Sequence, residues 1–186
     1  MRIDRVSSDS FAGARNLDVE FKDGVNVVYG RNEAGKSTLV NLISRTLFQN
    51  ARIDGRSKSF RDSYFPTQRK GSAAVGDSID GSVTISDGED TYKLTKEWGA
   101  DPRCKFSTPD GNITGQESIN DRLRELLQYG EGVYNELLLS SQHNTDAALE
   151  TLMNAKDKSA TRQEIVDAVS AAFAESGGAS LDAMRK

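Results

Sequence analysis

Nine consecutive residues, Gly30-Arg31-Asn32-Glu33-Ala34-Gly35-Lys36-Ser37-Thr38, follow the spacing G-x-x-x-x-G-K-S-T. Each residue type there answers a need of one chemistry, the holding of a polyphosphate. Glycines at 30 and 35 let the backbone curl tightly, where side chains would fill the concavity. The curled segment can turn its N–H groups inward around phosphate oxygens. A helix starting near Lys36 adds unsatisfied N–H groups and a partial positive charge. Lys36 is a point cation for the β- and γ-phosphates. The Ser37 hydroxyl is a hard oxygen ligand suited to magnesium. A chance match in a chain of 186 residues has a likelihood on the order of 1% or less. The pattern therefore predicts a nucleotide triphosphate, ATP with Mg2+, bound by Gly30, Asn32, Glu33, Ala34, Gly35, Lys36, Ser37 and Thr38.

Such a loop must sit between a strand and a helix, and the flanking residues supply both. The segment GVNVVY (24–29) is a β-branched run that leads into the loop. The helix predicted from Lys36 to about Phe48 carries Leu39, Leu42, Ile43 and Leu47 on one face. Upstream, RIDRVS reads as a strand and Asp9–Gly13 as a turn. Leu17, Val19 and Phe21 alternate with polar residues as in a half-buried strand. Lys22-Asp23-Gly24 reads as a turn.

Downstream, residues 50 to 80 are poor in apolar side chains and read as a long loop. Between Arg52 and Lys70 lie Arg52, Arg56, Lys58, Arg61, Arg69 and Lys70 against Asp54 and Asp62, a net +4. This stretch could touch nucleic-acid phosphates in a salt-dependent way. It could equally be a solvated loop, the reading the acidic whole favours, with Tyr64 and Phe65 packing rather than stacking on bases. A meander follows: GSVTIS, TYKLTKEW and CKFS, with turns at Asp87-Gly88 and Asp110-Gly111. Thr114-Gly-Gln-Glu117 has the form of a capping box before a helix with Ile119, Leu123, Leu126 and Leu127. Val133–Gln142 is a buried-looking run. Further helices are predicted after Thr145, Thr161 and Ser180, broken at Gly177-Gly178.

Bulk composition narrows the setting. Hydrophobic residues are 36%, mean hydropathy is −0.58, net charge is −4 and the pI is about 5.1. The composition can bury a core, disorder is excluded, and no basic footprint marks the whole chain. One cysteine, Cys104, cannot form an internal disulfide. No apolar run approaches the roughly 18 residues of a membrane span. The expectation is a soluble, cytoplasmic protein with no membrane partner.

With these residues in view, the segment FAGARNLDVEFKDGVNVVYGRNEAGKSTLVNLI resembles the N-terminal lobe of SMC-type ATPase heads. That group includes SMC proteins, SbcC, RecF, RecN and the ATPase subunit of double-strand-break repair nucleases. The resemblance rests on Phe11, on F-x-x-G-x-N (Phe21, Gly24, Asn26) and on G-x-N-E-x-G-K-S-T. Asn32-Glu33 is especially similar to the SbcC and YhaN-like bacterial members. The likeness is strong over residues 1 to 48, weak from 50 to 128, and returns near Gln142. It implies that Gln142 is the Q-loop glutamine, a magnesium contact that positions the attacking water, acting with Lys36 in catalysis. Ser37 and Gln142 would then be the metal ligands. Some relatives carry an arginine just after the aromatic; here Ala12 stands there, with Arg15 the nearest substitute. His143, the single histidine, reads as solvated.

The resemblance also implies a strand ending in Asp-Glu, whose Glu activates water. No run of four apolar residues followed by Asp-Glu occurs here. Ser176-Gly177-Gly178 lies 34 residues past Gln142 and reads as a break between helices rather than the family's Ser-Gly-Gly signature. The expected fold is an α/β P-loop NTPase half-domain: a mixed sheet with an antiparallel edge meander and flanking helices. Residues 1–155 form the lobe and 156–186 begin a coiled-coil arm. Expected partners are ATP, a C-terminal ATPase lobe, a second head in a homodimer, DNA, and a nuclease as an open option. Two other readings stand beside the DNA-repair ATPase: a nucleotide-gated regulatory or phage-defence module without hydrolysis, and a small P-loop kinase.

Overall fold

The computed structural model describes residues 1–53, 58–65 and 78–128, with Glu131 and Tyr134. Gln142, His143, the Val133–Gln142 run, the helices expected after Thr145, Thr161 and Ser180, and Ser176-Gly177-Gly178 lie outside them. So do Arg56, Arg69 and Lys70. The chain divides into two compact units, Met1–Leu123 and Arg124–Lys186.

Six strands and three helices are described: β1 Arg2–Phe11, β2 Ala14–Glu20, α1 Lys36–Phe48, α2 Lys58–Tyr64, β3 Ile79–Asp87, β4 Asp90–Trp98, β5 Arg103–Thr108, β6 Gly111–Thr114 and α3 Gln116–Leu127. The strands form one sheet in the order β2-β1-β3-β4-β5-β6, antiparallel at every pairing. Alternation decides its two faces. Val19, Val6, Val83, Leu94, Phe106 and Ile113 lie opposite one another in a single row across all six strands. The neighbouring row on the opposite face runs Asp18, Ser7, Ser82, Thr95, Lys105 and Thr114. Val6, Val83, Leu94 and Phe106 are fully buried, each contributing about 1.5–3 kcal/mol of hydrophobic stabilisation.

Helix α1 lies on the apolar face, buried through Leu39, Leu42, Thr46 and Leu47. Its seat is Gly81 of β3. A Cβ there would fall well inside 3.0 Å of Thr46 Oγ1, 3.0 Å from Leu42 Cδ1 and 3.3 Å from Trp98 Cη2, so only glycine lets the helix approach this closely. Directly across from Gly81 stands Lys96, 0% exposed. Its ammonium donates to the carbonyls of Leu47 (3.2 Å) and Gln49 (2.8 Å) at the end of α1, where unpaired helical carbonyls and the negative dipole end favour a cation. Trp98 Nε1 donates to Asn50 O at 2.9 Å. Gln116 Oε1 accepts from Ala51 N at 2.8 Å. The exit of α1 is thus anchored on β4 and the start of α3.

Several expectations are refined. The segment expected as a long loop contains α2, whose Phe60 is buried. Phe60 and Tyr64 join Phe11 and Trp98 in an aromatic cluster: Phe11 stacks on Tyr64 at 4.9 Å, and Phe60 tilts against Trp98 at 5.6 Å. Phe65 packs edge-on to Phe60, so Tyr64 and Phe65 pack as expected. The turn expected over Asp9–Gly13 is shorter: β1 continues to Phe11, and the turn is Ala12-Gly13, both left-handed at φ 50 and 83. Asp80 makes this extension possible. Its carboxylate accepts from Asp9 N and Ser10 N, each at 3.0 Å, where β1 has left its ladder with β3. The Thr114–Glu117 capping box is not formed. Thr114 ends β6, Gly115 precedes the helix at φ 102, and Gln116 turns its amide to Ala51 and Asn120 instead.

Candidate functional site

The chain approaches the glycine-rich loop through a stapled turn. Asn26 Oδ1 accepts from Lys22 N at 3.0 Å, and its Nδ2 donates to Lys22 O and Gly24 O at 2.8 and 3.1 Å. Gly24 takes φ +83 inside this turn. The F-x-x-G-x-N pattern therefore has a local cause: glycine permits the turn and asparagine closes it. Phe21 N donates to Asp4 O at 2.7 Å, holding the turn to β1.

The run from Val25 to Tyr29 has the composition of a strand, yet it joins no ladder among the described residues. Val25 is 93%, Val27 78% and Tyr29 91% exposed. Two valines and a tyrosine with this much surface in water make an apolar strip that wants a partner strand. The physical reason for the difference is that β propensity needs a neighbour to be realised, and none of the described strands lies beside it.

The loop itself is an arch. Glu33 and Gly35 take left-handed φ of 68 and 85. Ala34 N donates to Arg31 O at 3.2 Å, and Leu39 N to Gly35 O at 3.0 Å. Gly30 crosses close to Ala34, where an added Cβ would stand 3.1 Å from Ala34 Cβ. Lys36 folds back over the arch, with Nζ donating to Gly30 O and Arg31 O, both at 2.8 Å. Gly35 is the N-cap of α1, no side chain caps that end, and its first turn holds no acidic residue. The first N–H groups of α1 are therefore left for an anion. Asn32 and Ser37 are exposed, and Thr38 is half-buried.

This arrangement fits a magnesium–polyphosphate. Curled amides and an uncapped helix start suit the phosphates, the lysine is already bent over the loop, and the Ser37 hydroxyl stands open as a hard oxygen donor. Among the described residues there is no separate cluster of three His, Cys, Asp or Glu side chains for a metal. The residues from Gly30 to Thr38 form one arch that passes into the start of α1, with Lys36 folded back on Gly30 and Arg31. Gln142 lies outside the described residues. Phe11 belongs to the aromatic cluster rather than to the arch, and Arg15 is exposed opposite Ser10 on the β1–β2 hairpin. Sequence reasoning missed Lys96 as an anchor of the loop's helix. The available signal was its place in the even-numbered apolar series Tyr92, Leu94, Lys96 and Trp98, where a solvated lysine does not belong.

Among the described residues, no helix is long and apolar enough to cross a membrane. The chain resembles known proteins in sequence and in fold. The AAA domain family matches residues 6–176. The DNA double-strand break repair Rad50 ATPase of Methanosarcina acetivorans is 26% identical over 168 residues, covering 90% of this chain and 15% of its own length. Its counterpart in Sulfurisphaera tokodaii is 24% identical over 165 residues, covering 85% and 18%. The chain thus spans less than a fifth of the length of these curated relatives. A solved structure from work on ATP-driven dimerization and DNA-stimulated activation of SMC ATPases superposes with a TM-score of 0.56 at 16% identity, covering 91% of this chain and all of that one. The chain belongs to the AAA domain family, and its fold is that of an SMC/Rad50-type ATPase N-terminal lobe.

Proposed function

We propose that this chain is the ATP-binding N-terminal lobe of an SMC/SbcC-like ATPase acting on DNA, in double-strand-break repair or end processing. The observation that carries the reading is the pairing of a formed phosphate arch with an apolar run, Val25–Tyr29, that leads into it with no described strand beside it. A nucleotide loop is held rigidly only when the strand feeding it is in a sheet. A C-terminal ATPase lobe is the partner that would pair this run and bring the Asp-Glu strand that the chain lacks. Phosphoryl transfer to water is chiefly a matter of positioning and charge stabilisation. Lys36 would bind the β- and γ-phosphates, the amides of Gly30 to Thr38 would orient them, and Asn32 would line the loop's open side. Ser37 and Gln142 would hold Mg2+, which when bound neutralises phosphate charge, and Gln142 would orient the attacking water. The water-activating glutamate would come from the C-terminal lobe, and a second head would close over the nucleotide. Residues 156–186 would begin a coiled-coil arm, and a nuclease subunit is the natural partner of a DNA-end-processing ATPase.

The test is turnover. The 186-residue chain alone should bind ATP and hydrolyse it slowly or not at all, and addition of the C-terminal lobe should raise the rate by orders of magnitude. Vigorous hydrolysis by the chain alone, abolished by Lys36→Ala, would overturn the reading.

A further inference from the structure

Glu33 stands against two local preferences at once. Its backbone takes φ +68, a conformation glycine adopts freely and a residue with a side chain adopts at a cost. Its residue type puts an exposed carboxylate on a loop suited to receive an anion. It is the sole acidic residue between Asp23 and Asp54, so the loop and α1 are otherwise free of negative side chains. Glu33 is exposed and makes no hydrogen bond or ion pair with another described residue. It therefore neither caps α1 nor neutralises Lys36, whose ammonium donates to Gly30 O and Arg31 O. Arg31 and Lys36 bring two positive charges to the arch, and Glu33 subtracts one.

A fixed negative charge penalises ligands in proportion to their own charge. Metal-free ATP carries about four negative charges and its magnesium complex about two, so repulsion from Glu33 falls about twice as heavily on the free form. We propose that Glu33 is a specificity-determining residue that makes the phosphate loop select metal-complexed triphosphates over metal-free polyphosphates. This rests on the nucleotide-binding reading above and adds to it a basis for choosing between charge states of one ligand. Across a loop-sized gap that is largely aqueous and screened at about 50 mM salt, removing the charge should change the preference about three- to tenfold. The effect should fade in high salt, because the carboxylate is exposed.

The experiment uses the 186-residue chain and its Glu33→Gln and Glu33→Gly variants, titrated with fluorescent ATP in excess Mg2+ and in a chelator, at about 50 mM and about 1 M salt. The expected result is that both variants gain affinity more for the metal-free nucleotide. The ratio of metal-complexed to metal-free affinity falls about three- to tenfold at low salt and returns toward the wild-type value at high salt. Glu33→Gly also relaxes the backbone, so agreement between the two variants assigns the effect to charge. A ratio that stays unchanged, equal shifts for both ligands, or a change that persists in high salt would overturn the assignment while leaving nucleotide binding intact. Absence of saturable binding by the wild-type chain in either condition would instead remove the nucleotide reading, and this one with it.

Discussion

Gly81→Ala probes how the sheet seats the helix that carries Lys36 and Ser37. An added Cβ would lie well inside 3.0 Å of Thr46 Oγ1, with Leu42 Cδ1 and Trp98 Cη2 at 3.0 and 3.3 Å on its other sides. The overlap is on the order of 1 Å, and the crowded atoms are a helix-restricted threonine and fully buried core side chains. Relief therefore requires α1 to lift off β3, against its anchors at Lys96 and Trp98. The expected loss is about 3 kcal/mol, at the upper end of overpacking costs. Thr46 Oγ1 is buried without a hydrogen-bond partner among the described residues. Thr46→Ala should therefore lie within about 1 kcal/mol of wild type, since the lost methyl burial is offset by removal of an unsatisfied hydroxyl. The double variant should recover most of the loss, with a coupling of at least about 1.5 kcal/mol. Chemical denaturation followed by tryptophan fluorescence suits the assay, because Trp98 is the single tryptophan and lies in the contact. If the two changes add within about 0.5 kcal/mol, the argument that Thr46 and Gly81 interlock is wrong.

Two further outcomes follow from surface features. Replacing Val25, Val27 and Tyr29 by Thr, Thr and Gln should reduce self-association in sedimentation velocity while leaving the melting temperature unchanged, since these side chains are exposed; a large fall in melting temperature would mean that the run is packed. A hydrogen bond from Arg5, with Coulomb attraction to the same guanidinium, holds the Asp18 carboxyl below its ordinary range. A depressed carboxylate contributes stability above its unfolded pKa of about 3.9 and loses it as pH falls through the lower folded value. Asp18→Asn should accordingly flatten the acid limb of the stability curve below about pH 4, with a small loss at neutral pH, where an exposed pair is worth little, and none in acid well below that limb; a loss in that acid range as large as the loss at neutral pH would contradict the assignment.

How much was legible depended on whether the cause was local. The G-x-x-x-x-G-K-S-T spacing is a local cause: Gly35 takes the left-handed turn into an uncapped helix start, and α1 begins at Lys36 and ends at Phe48 as its periodicity requires. The meander was equally readable, because Val83, Ile85, Tyr92, Leu94 and Phe106 alternate in strands closed by Gly88 and Gly111 turns. What escaped depends on distant partners. Residues 58–64 have too few apolar side chains to announce a helix, yet Phe60 and Tyr64 find Phe11 and Trp98 from other parts of the chain. Gln116 accepts from Ala51 N, 65 residues away, a contact that no local pattern announces. The apolar run before the loop is the converse case. Its composition is that of a strand, but it has no described neighbour to pair with. Gln142 was legible only through resemblance, and its position lies outside the described residues.

The most direct measurement is a calorimetric titration of the chain with ATP and Mg2+, run in parallel on Lys36→Ala. The Lys36 ammonium donates only to two loop carbonyls in the hydrogen bonds seen here, so its removal should leave the melting curve of the free protein nearly unchanged. The account predicts saturable one-site binding by the wild type and a loss of at least about a hundredfold in the variant, the loss of a charge-assisted contact to two phosphates. Binding that survives Lys36→Ala undiminished, or that never saturates in the wild type, would contradict it.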